Sequence, residues 1–111
     1  QKTNLCILVE GPKDVWWLDQ QEIHNTVACY GIEISKYQTK LLIDMGVTTL
    51  MVMFDNDEKG RERGIKNIEK ISHLFKIVNG TQYLKEGADI AETSADDIET
   101  VIKPILTNLE Q

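Results

Sequence analysis

The chain has 111 residues, of which 41% are apolar and 27% are charged, and this size suits one compact domain over residues 1–111. Its formal net charge of -6 excludes non-specific nucleic-acid binding through a broad basic face. No apolar run approaches the roughly 20 residues that cross a bilayer, and the start lacks a secretory profile, so we expect a cytoplasmic protein without membrane contact. The missing initial Met predicts a domain excised from a longer protein.

The first half of the chain predicts two strands that alternate with two helices. These elements cover residues 5–9, 14–21, 26–29 and 36–45. The first strand is a continuous apolar run, which is typical of a strand buried on both faces. Pro12 suits the first turn of the helix that follows, and Gly31 breaks the second strand. Ser35 is a good N-cap for the second helix, which ends before Gly46.

The second half repeats this alternation. It predicts a strand over residues 48–54, a helix over 58–71, a strand over 74–78 and a helix over 96–109. In the first of these helices Ile65, Ile68 and Ile71 recur at helical spacing and are expected to face the core. Pro104 interrupts the last helix. Strands that alternate with helices predict an α/β fold with an open, mostly parallel four-stranded sheet flanked by helices.

Three acidic residues follow the first and third predicted strands. Glu10 follows residues 5–9, and Asp55 and Asp57 follow residues 48–54. Because the carboxyl ends of parallel strands share one edge of a sheet, we expect these side chains to converge, with a bend at the turn-forming Asn56. Clustered carboxylates repel one another unless a cation compensates, and Mg²⁺ prefers oxygen ligands. Asp-x-Asp alone is weak evidence, since Asp is also common at strand ends and helix caps.

The spacing of these acids resembles the Toprim family. Residues 8–15 (LVEGPKDV) are similar to the first Toprim motif, in which a strand ends in Glu-Gly and an Asp follows four residues after the Glu. Residues 52–61 (VMFDNDEKGR) are similar to the second, a strand ending in Asp-x-Asp with Gly three residues on. Residues 86–90 (EGADI) resemble the third acidic patch of bacterial and phage primases. The resemblance covers nearly the whole chain and implies a compact, Rossmann-like Toprim fold.

The resemblance also implies the site residues. Metal ligands are expected at Glu10, Asp55 and Asp57, which would be the catalytic residues, with the Glu as general acid or base and the Asp pair as anchor for Mg²⁺ or Mn²⁺. Asp14 and Asp89 would be outer or second-metal ligands.

The third acidic patch departs from the family pattern. Primases usually carry two acids there, whereas this chain has Asp89, with Glu86 as a substitute for the other. The resemblance therefore supports a first metal better than a second.

Several basic residues lie just after the motif strands and are candidates for contacts with nucleic-acid phosphates. They are Lys13, Lys59, Arg61 and Arg63, and of these we predict Lys13, Lys59 and Arg61 as phosphate contacts. The alternative is an ordinary solvated helix face.

Four functions are compatible with this pattern. The first is the Toprim catalytic domain of a DNA primase, which would make RNA primers from nucleotides on a single-stranded DNA template beside a helicase or zinc-binding domain of the same protein. The second is a Toprim nuclease that uses the same carboxylates with a water nucleophile. The third is a non-catalytic docking module of a recombination protein. The fourth, a receiver-like regulator, needs a strand-end Lys and a phosphorylatable Asp that we cannot place.

Overall fold

The computed structural model describes residues 4–29 and 33–110 and contains one four-stranded sheet. Its strands are β1 (Leu5–Val9), β2 (Thr26–Ala28), β3 (Thr49–Val52) and β4 (Lys76–Asn79). They are hydrogen-bonded in the order β2-β1-β3-β4, and every neighbouring pair is parallel. The predicted α/β fold with a four-stranded parallel sheet is confirmed. The predicted break at Gly31 lies outside the described residues.

Helices connect the strands and close the domain. They are α1 (Pro12–Gln20), α2 (Lys36–Asp44), α3 (Glu58–Ile71), α4 (Ala95–Asp97) and α5 (Lys103–Glu110), with short 3₁₀ turns at Thr81–Tyr83 and Ile90–Glu92. As predicted, Pro12 occupies the first turn of α1, and the Ser35 hydroxyl accepts a hydrogen bond from Gln38 N at 3.0 Å at the start of α2. No helix in the described part of the chain is long and apolar enough to cross a membrane.

The sheet separates two apolar cores, which explains the continuous apolar sequence of β1. Leu5, Ile7 and Val9 face one core, and Cys6 and Leu8 face the other. Alternate side chains of a strand point to opposite faces, so a strand covered on both sides needs an apolar residue at every position. The first core is completed by α1 and the closing helices, and the second by α2 and α3.

Helix α3 packs on the sheet through a face different from the one its isoleucines predict. Ile71 is buried, but Ile65 is 52% exposed, so its predicted inward position is wrong. The buried residues of α3 instead include Gly60, Gly64 and Asn67. Glycines lack a Cβ and let the helix approach β3 closely, which turns Ile65 outward. Hydrophobic periodicity does not register a helix face built from glycine.

The start of β4 and the geometry of the closing helix also differ from the sequence prediction. β4 begins at Lys76 rather than at residue 74, because Leu74 is exposed in the turn after α3. The closing helix contains a π-helical turn at Ile98–Ile102, which ends two residues before Pro104. Pro104 has no N–H to donate to the preceding turn, and a π turn is a common way for a helix to absorb such a lost bond.

We expect Gly60→Ala to destabilise the domain, because a Cβ at Gly60 would lie 2.0 Å from the Asp55 backbone oxygen. Backbone cannot move aside cheaply, so the free energy of unfolding should fall by at least about 2 kcal/mol in urea denaturation followed by circular dichroism.

Gly64→Ala is the matched control for this experiment. Its Cβ would make ordinary contact, 3.8 Å from Val52 Cγ1, and alanine favours a helix over glycine by about 0.5–1 kcal/mol. The free energy of unfolding of this variant should be unchanged or higher. Equal losses in both variants would contradict the close approach at Gly60.

Candidate functional site

Glu10 and Asp55 meet at the carboxyl edge of the sheet, as the sequence predicts. Glu10 follows β1 directly, and Asp55 lies three residues after the end of β3, which is the neighbouring strand. The Asp55 backbone N–H donates to Glu10 Oε1 at 3.0 Å, and the two carboxyl groups also share a hydrogen bond. Parallel pairing of β1 with β3 therefore brings together two acids that are 45 residues apart.

The two acids respond in opposite ways to this contact. Burial raises the pKa of Asp55 from 3.8 to about 7, and the hydrogen bond and charge of Glu10 act in the same direction. Burial would also raise the pKa of Glu10, but hydrogen bonds from Arg63 and from the backbone and side chain of Asp55 outweigh it and lower that pKa. The contact therefore favours a proton on Asp55 at pH values below about 7 and a negative charge on Glu10.

Arg63 is a candidate site residue that sequence reasoning underrated. It lies on α3, and its Nε donates to Glu10 Oε2. Its neighbour one turn on, Asn67, is buried and donates to the Arg63 backbone oxygen at 2.9 Å. The signal in the sequence is the row formed by Gly60, Arg63 and Asn67, which lie on one face of a helix. That face looked polar and therefore solvated, although it packs on the sheet.

Asp57 and Asn56 shape the bend after β3. Asp57 is the N-cap of α3, and its Oδ1 accepts a hydrogen bond from Gly60 N at 2.7 Å. Asn56 is buried, and its Nδ2 donates to the Leu84 backbone oxygen at 2.7 Å while its Oδ1 accepts from Arg61. The bend expected at Asn56 is thus held by bonds to a distant loop.

Asp14 and Asp89 form a second acidic pair, which is almost completely buried. Both oxygens of Asp14 accept backbone N–H groups, from Gly11 at 3.3 Å and from Ala91 at 3.1 Å. Asp89 Oδ2 is 3.0 Å from Lys13 Nζ. Burial raises the pKa of Asp14, and the charge of Asp89 adds to this. The pair links α1 to the loop that follows β4.

The basic residues predicted to contact phosphates have different surroundings. Lys13 is paired with Asp89, and Lys59 is exposed near the start of α3. Arg61 Nη1 donates to Asn56 Oδ1 at 2.9 Å and lies 3.3 Å from Glu86 Oε2. Glu86, the suggested substitute for a second acid, is therefore paired with Arg61.

The carboxyl groups that the structure describes at this edge of the sheet fit a divalent cation that is held by two carboxylates, but they do not form a site with three carboxylate ligands. Across residues 4–29 and 33–110, no group of three His, Cys, Asp or Glu side chains is arranged to hold a metal ion. Glu10 and Asp55 are nevertheless in contact and supply hard oxygen atoms. Mg²⁺ is commonly bound by one or two carboxylates, with water and substrate phosphate as its other ligands. Asp57, the third expected ligand, has one oxygen occupied as a helix cap.

Asp55→Asn should stabilise the domain in the absence of divalent cations. The pKa of Asp55 is about 7 in the folded protein and 3.8 in the unfolded chain. Between these two pH values the folded state binds more protons than the unfolded state, so the free energy of unfolding falls as the pH rises. The amide removes this dependence. We expect no gain near pH 4 and a gain of about 1–2 kcal/mol above pH 7, after discounting for solvent screening at this half-buried side chain.

Urea denaturation in EDTA between pH 4 and pH 8 measures this difference. Asp44→Asn, at an exposed position at the end of α2, removes the same charge and should show no comparable rise. A gain for Asp55→Asn that does not vary with pH would contradict the assigned proton.

Several solved structures resemble this domain, and three of them differ in the share of each chain that is covered. The primase of Aquifex aeolicus, with zinc-binding and RNA polymerase domains, is 27% identical at a TM-score of 0.68, covering 96% of this chain and 25% of that chain. A putative protein from Aquifex aeolicus is 25% identical at a TM-score of 0.62, covering 81% of this chain and 85% of that chain. A DNA primase domain from Pseudomonas aeruginosa shares the fold. It is 24% identical at a TM-score of 0.66, covering 97% of this chain and 38% of that chain.

The chain spans about a quarter of the length of the Aquifex primase. No curated protein matches the sequence. A family model described as Toprim-like matches residues 7–94, a stretch that includes Glu10, Asp55, Asp57 and Asp89. The motifs, the parallel sheet and this match agree, and the chain belongs to the Toprim-like family.

Proposed function

We propose that this domain is the catalytic domain of a DNA primase and makes RNA primers from nucleotides on a single-stranded DNA template in the cytoplasm, with Mg²⁺ or Mn²⁺ as cofactor. The observation that carries the proposal is the contact between Glu10 and Asp55 at the carboxyl edge of the sheet. Open α/β sheets bind their ligands at that edge. The similarity to the Aquifex primase favours primer synthesis over other Toprim chemistry.

The proposed roles follow from the surroundings of each side chain. A divalent cation bound at Glu10 and Asp55 would supply positive charge at the reacting phosphate. Arg63 favours the charged form of Glu10, and Asp55 would bind a cation in its deprotonated form. Asp57 fixes the start of α3 next to this pair.

Phosphate contacts come from the basic residues of α3 in this proposal. Lys59 is exposed, and Arg61, whose side chain is partly exposed, contacts the buried Asn56 and the exposed Glu86. Arg63 adds a third cation beside Glu10. The domain as a whole has 12 basic against 18 acidic residues, so a template strand needs further basic surface. We propose that a neighbouring polymerase, zinc-binding or helicase domain of the same protein provides it.

We expect Asp55→Asn/Asp57→Asn to abolish Mg²⁺ and Mn²⁺ binding measured by isothermal titration calorimetry. Amides retain the cap at Asp57 and the hydrogen bond at Asp55, because asparagine is also a good N-cap. They remove the two negative charges that attract the cation. The loss of binding is therefore separable from a loss of fold, which circular dichroism checks directly.

Asp44→Asn/Glu69→Gln is the matched control for the titration. It removes two charges at exposed positions near the C-terminal ends of α2 and α3. The affinity of this double variant for Mg²⁺ and Mn²⁺ should stay within about twofold of the wild-type affinity, because solvent and salt largely screen exposed charges at the ends of these helices. Equal losses in the two double variants would show that only the net charge matters, and the proposed site would be wrong.

Primer synthesis tests the proposed reaction itself. The complete protein that contains this domain should join labelled ribonucleotides into primers on single-stranded DNA in Mg²⁺ or Mn²⁺. Asp55→Asn should lower the rate of this synthesis by at least about 100-fold. Cleavage of end-labelled DNA in the same reactions, without primer synthesis, would establish the nuclease alternative. Cation binding with neither activity would favour a docking module.

A further inference from the structure

The Asp14–Asp89 pair has a compensating positive charge within the protein itself, on the side chain of Lys13. Asp14 lies on α1 and is 3% exposed, and Asp89 precedes the turn Ile90–Glu92 and is 7% exposed. Two buried carboxylates that act on each other need a compensating positive charge. Lys13 supplies it, because its Nζ is 3.0 Å from Asp89 Oδ2 and its charge also acts on Asp14.

The four carboxylate oxygens of the pair all have donors within the chain. Asp14 accepts from Gly11 N and Ala91 N, and Asp89 Oδ1 accepts from Glu92 N at 2.8 Å. Three of the four oxygens therefore hold backbone N–H groups that begin α1 and the turn at Ile90–Glu92. A carboxylate that rotates to chelate an ion would leave these donors without a partner, which is costly in a buried place.

We infer that Lys13 occupies the place of a second metal, so that no divalent cation binds at the Asp14–Asp89 pair. The pair then has a structural task, which is to hold α1 against the loop after β4 through the Asp14–Ala91 bond. The inference rests on the proposed function for the first ion at Glu10 and Asp55. It assigns to Lys13 the control of cation stoichiometry instead of the phosphate contact that its sequence position predicts.

The chain offers suitable variants for testing this. The Lys13 side chain is 69% exposed, so Lys13→Gln should fold. Lys85→Gln is the matched control, because Lys85 is also exposed and paired with an acid, Asp97, at 3.7 Å. Asp89→Asn keeps the oxygen that accepts from Glu92 N and removes only the charge.

The measurement is a Mn²⁺ titration in which free Mn²⁺ is counted by electron paramagnetic resonance. The wild type and Lys85→Gln should bind one ion, and Lys13→Gln should bind a second, weaker ion that is lost again in Lys13→Gln/Asp89→Asn. In EDTA, Lys13→Gln should melt at a lower temperature than Lys85→Gln, and millimolar Mn²⁺ should raise the melting temperature of Lys13→Gln and so remove the difference. This second measurement does not depend on enzymatic activity.

Two results would overturn the inference. One is a wild type that binds two ions and loses one in Asp89→Asn, and the other is a Lys13→Gln variant that binds no more ions than the wild type. Failure of the proposed function has a different signature, because it removes the ion that Asp55→Asn/Asp57→Asn is expected to abolish. If the wild type bound no ion and Lys13→Gln bound one through Asp89, the role of Lys13 would stand and the site at Glu10 and Asp55 would fall.

Discussion

The contact between Glu10 and Asp55 is the constraint on which the site depends. The pairing of β1 with β3 places the two acids side by side, and the Asp55 backbone N–H donates to Glu10 Oε1. Arg63 and a shared proton make the contact tolerable in the absence of a cation. A divalent ion would replace that proton and compensate both carboxylates, which is the physical basis of the proposed chemistry.

The other acids show how one residue type serves both structure and charge. Asp57, Asp14 and Asp89 each accept a backbone N–H at the start of a helix or turn. Such bonds orient each carboxylate and stabilise the element that follows it. They also occupy oxygens that the family resemblance assigns to metal. The number of acidic residues in a sequence motif is therefore an upper limit on the number of metal ligands that it supplies.

Much of the fold could be predicted because its signals are local. The apolar run of β1 is continuous because both faces are covered, and Ser35 and Pro12 mark the helix starts through their own hydrogen-bonding capacity. The prediction failed at Ile65, where the packing face depends on what the glycines of α3 approach. That distance is a property of two elements, which no single segment encodes.

The sequence by itself determined the parallel α/β order and the edge at which Glu10 and Asp55 meet, since alternating strands and helices allow few other topologies. Only the tertiary structure decided which charge meets which. Arg63 pairs with Glu10 over 53 residues, and Lys13 pairs with Asp89 over a still longer stretch of chain, because α3, α1 and the loop after β4 pack at one edge of the sheet. Hydrogen-bond partners between distant segments depend on distances of a few ångströms, and these are set by the packed core.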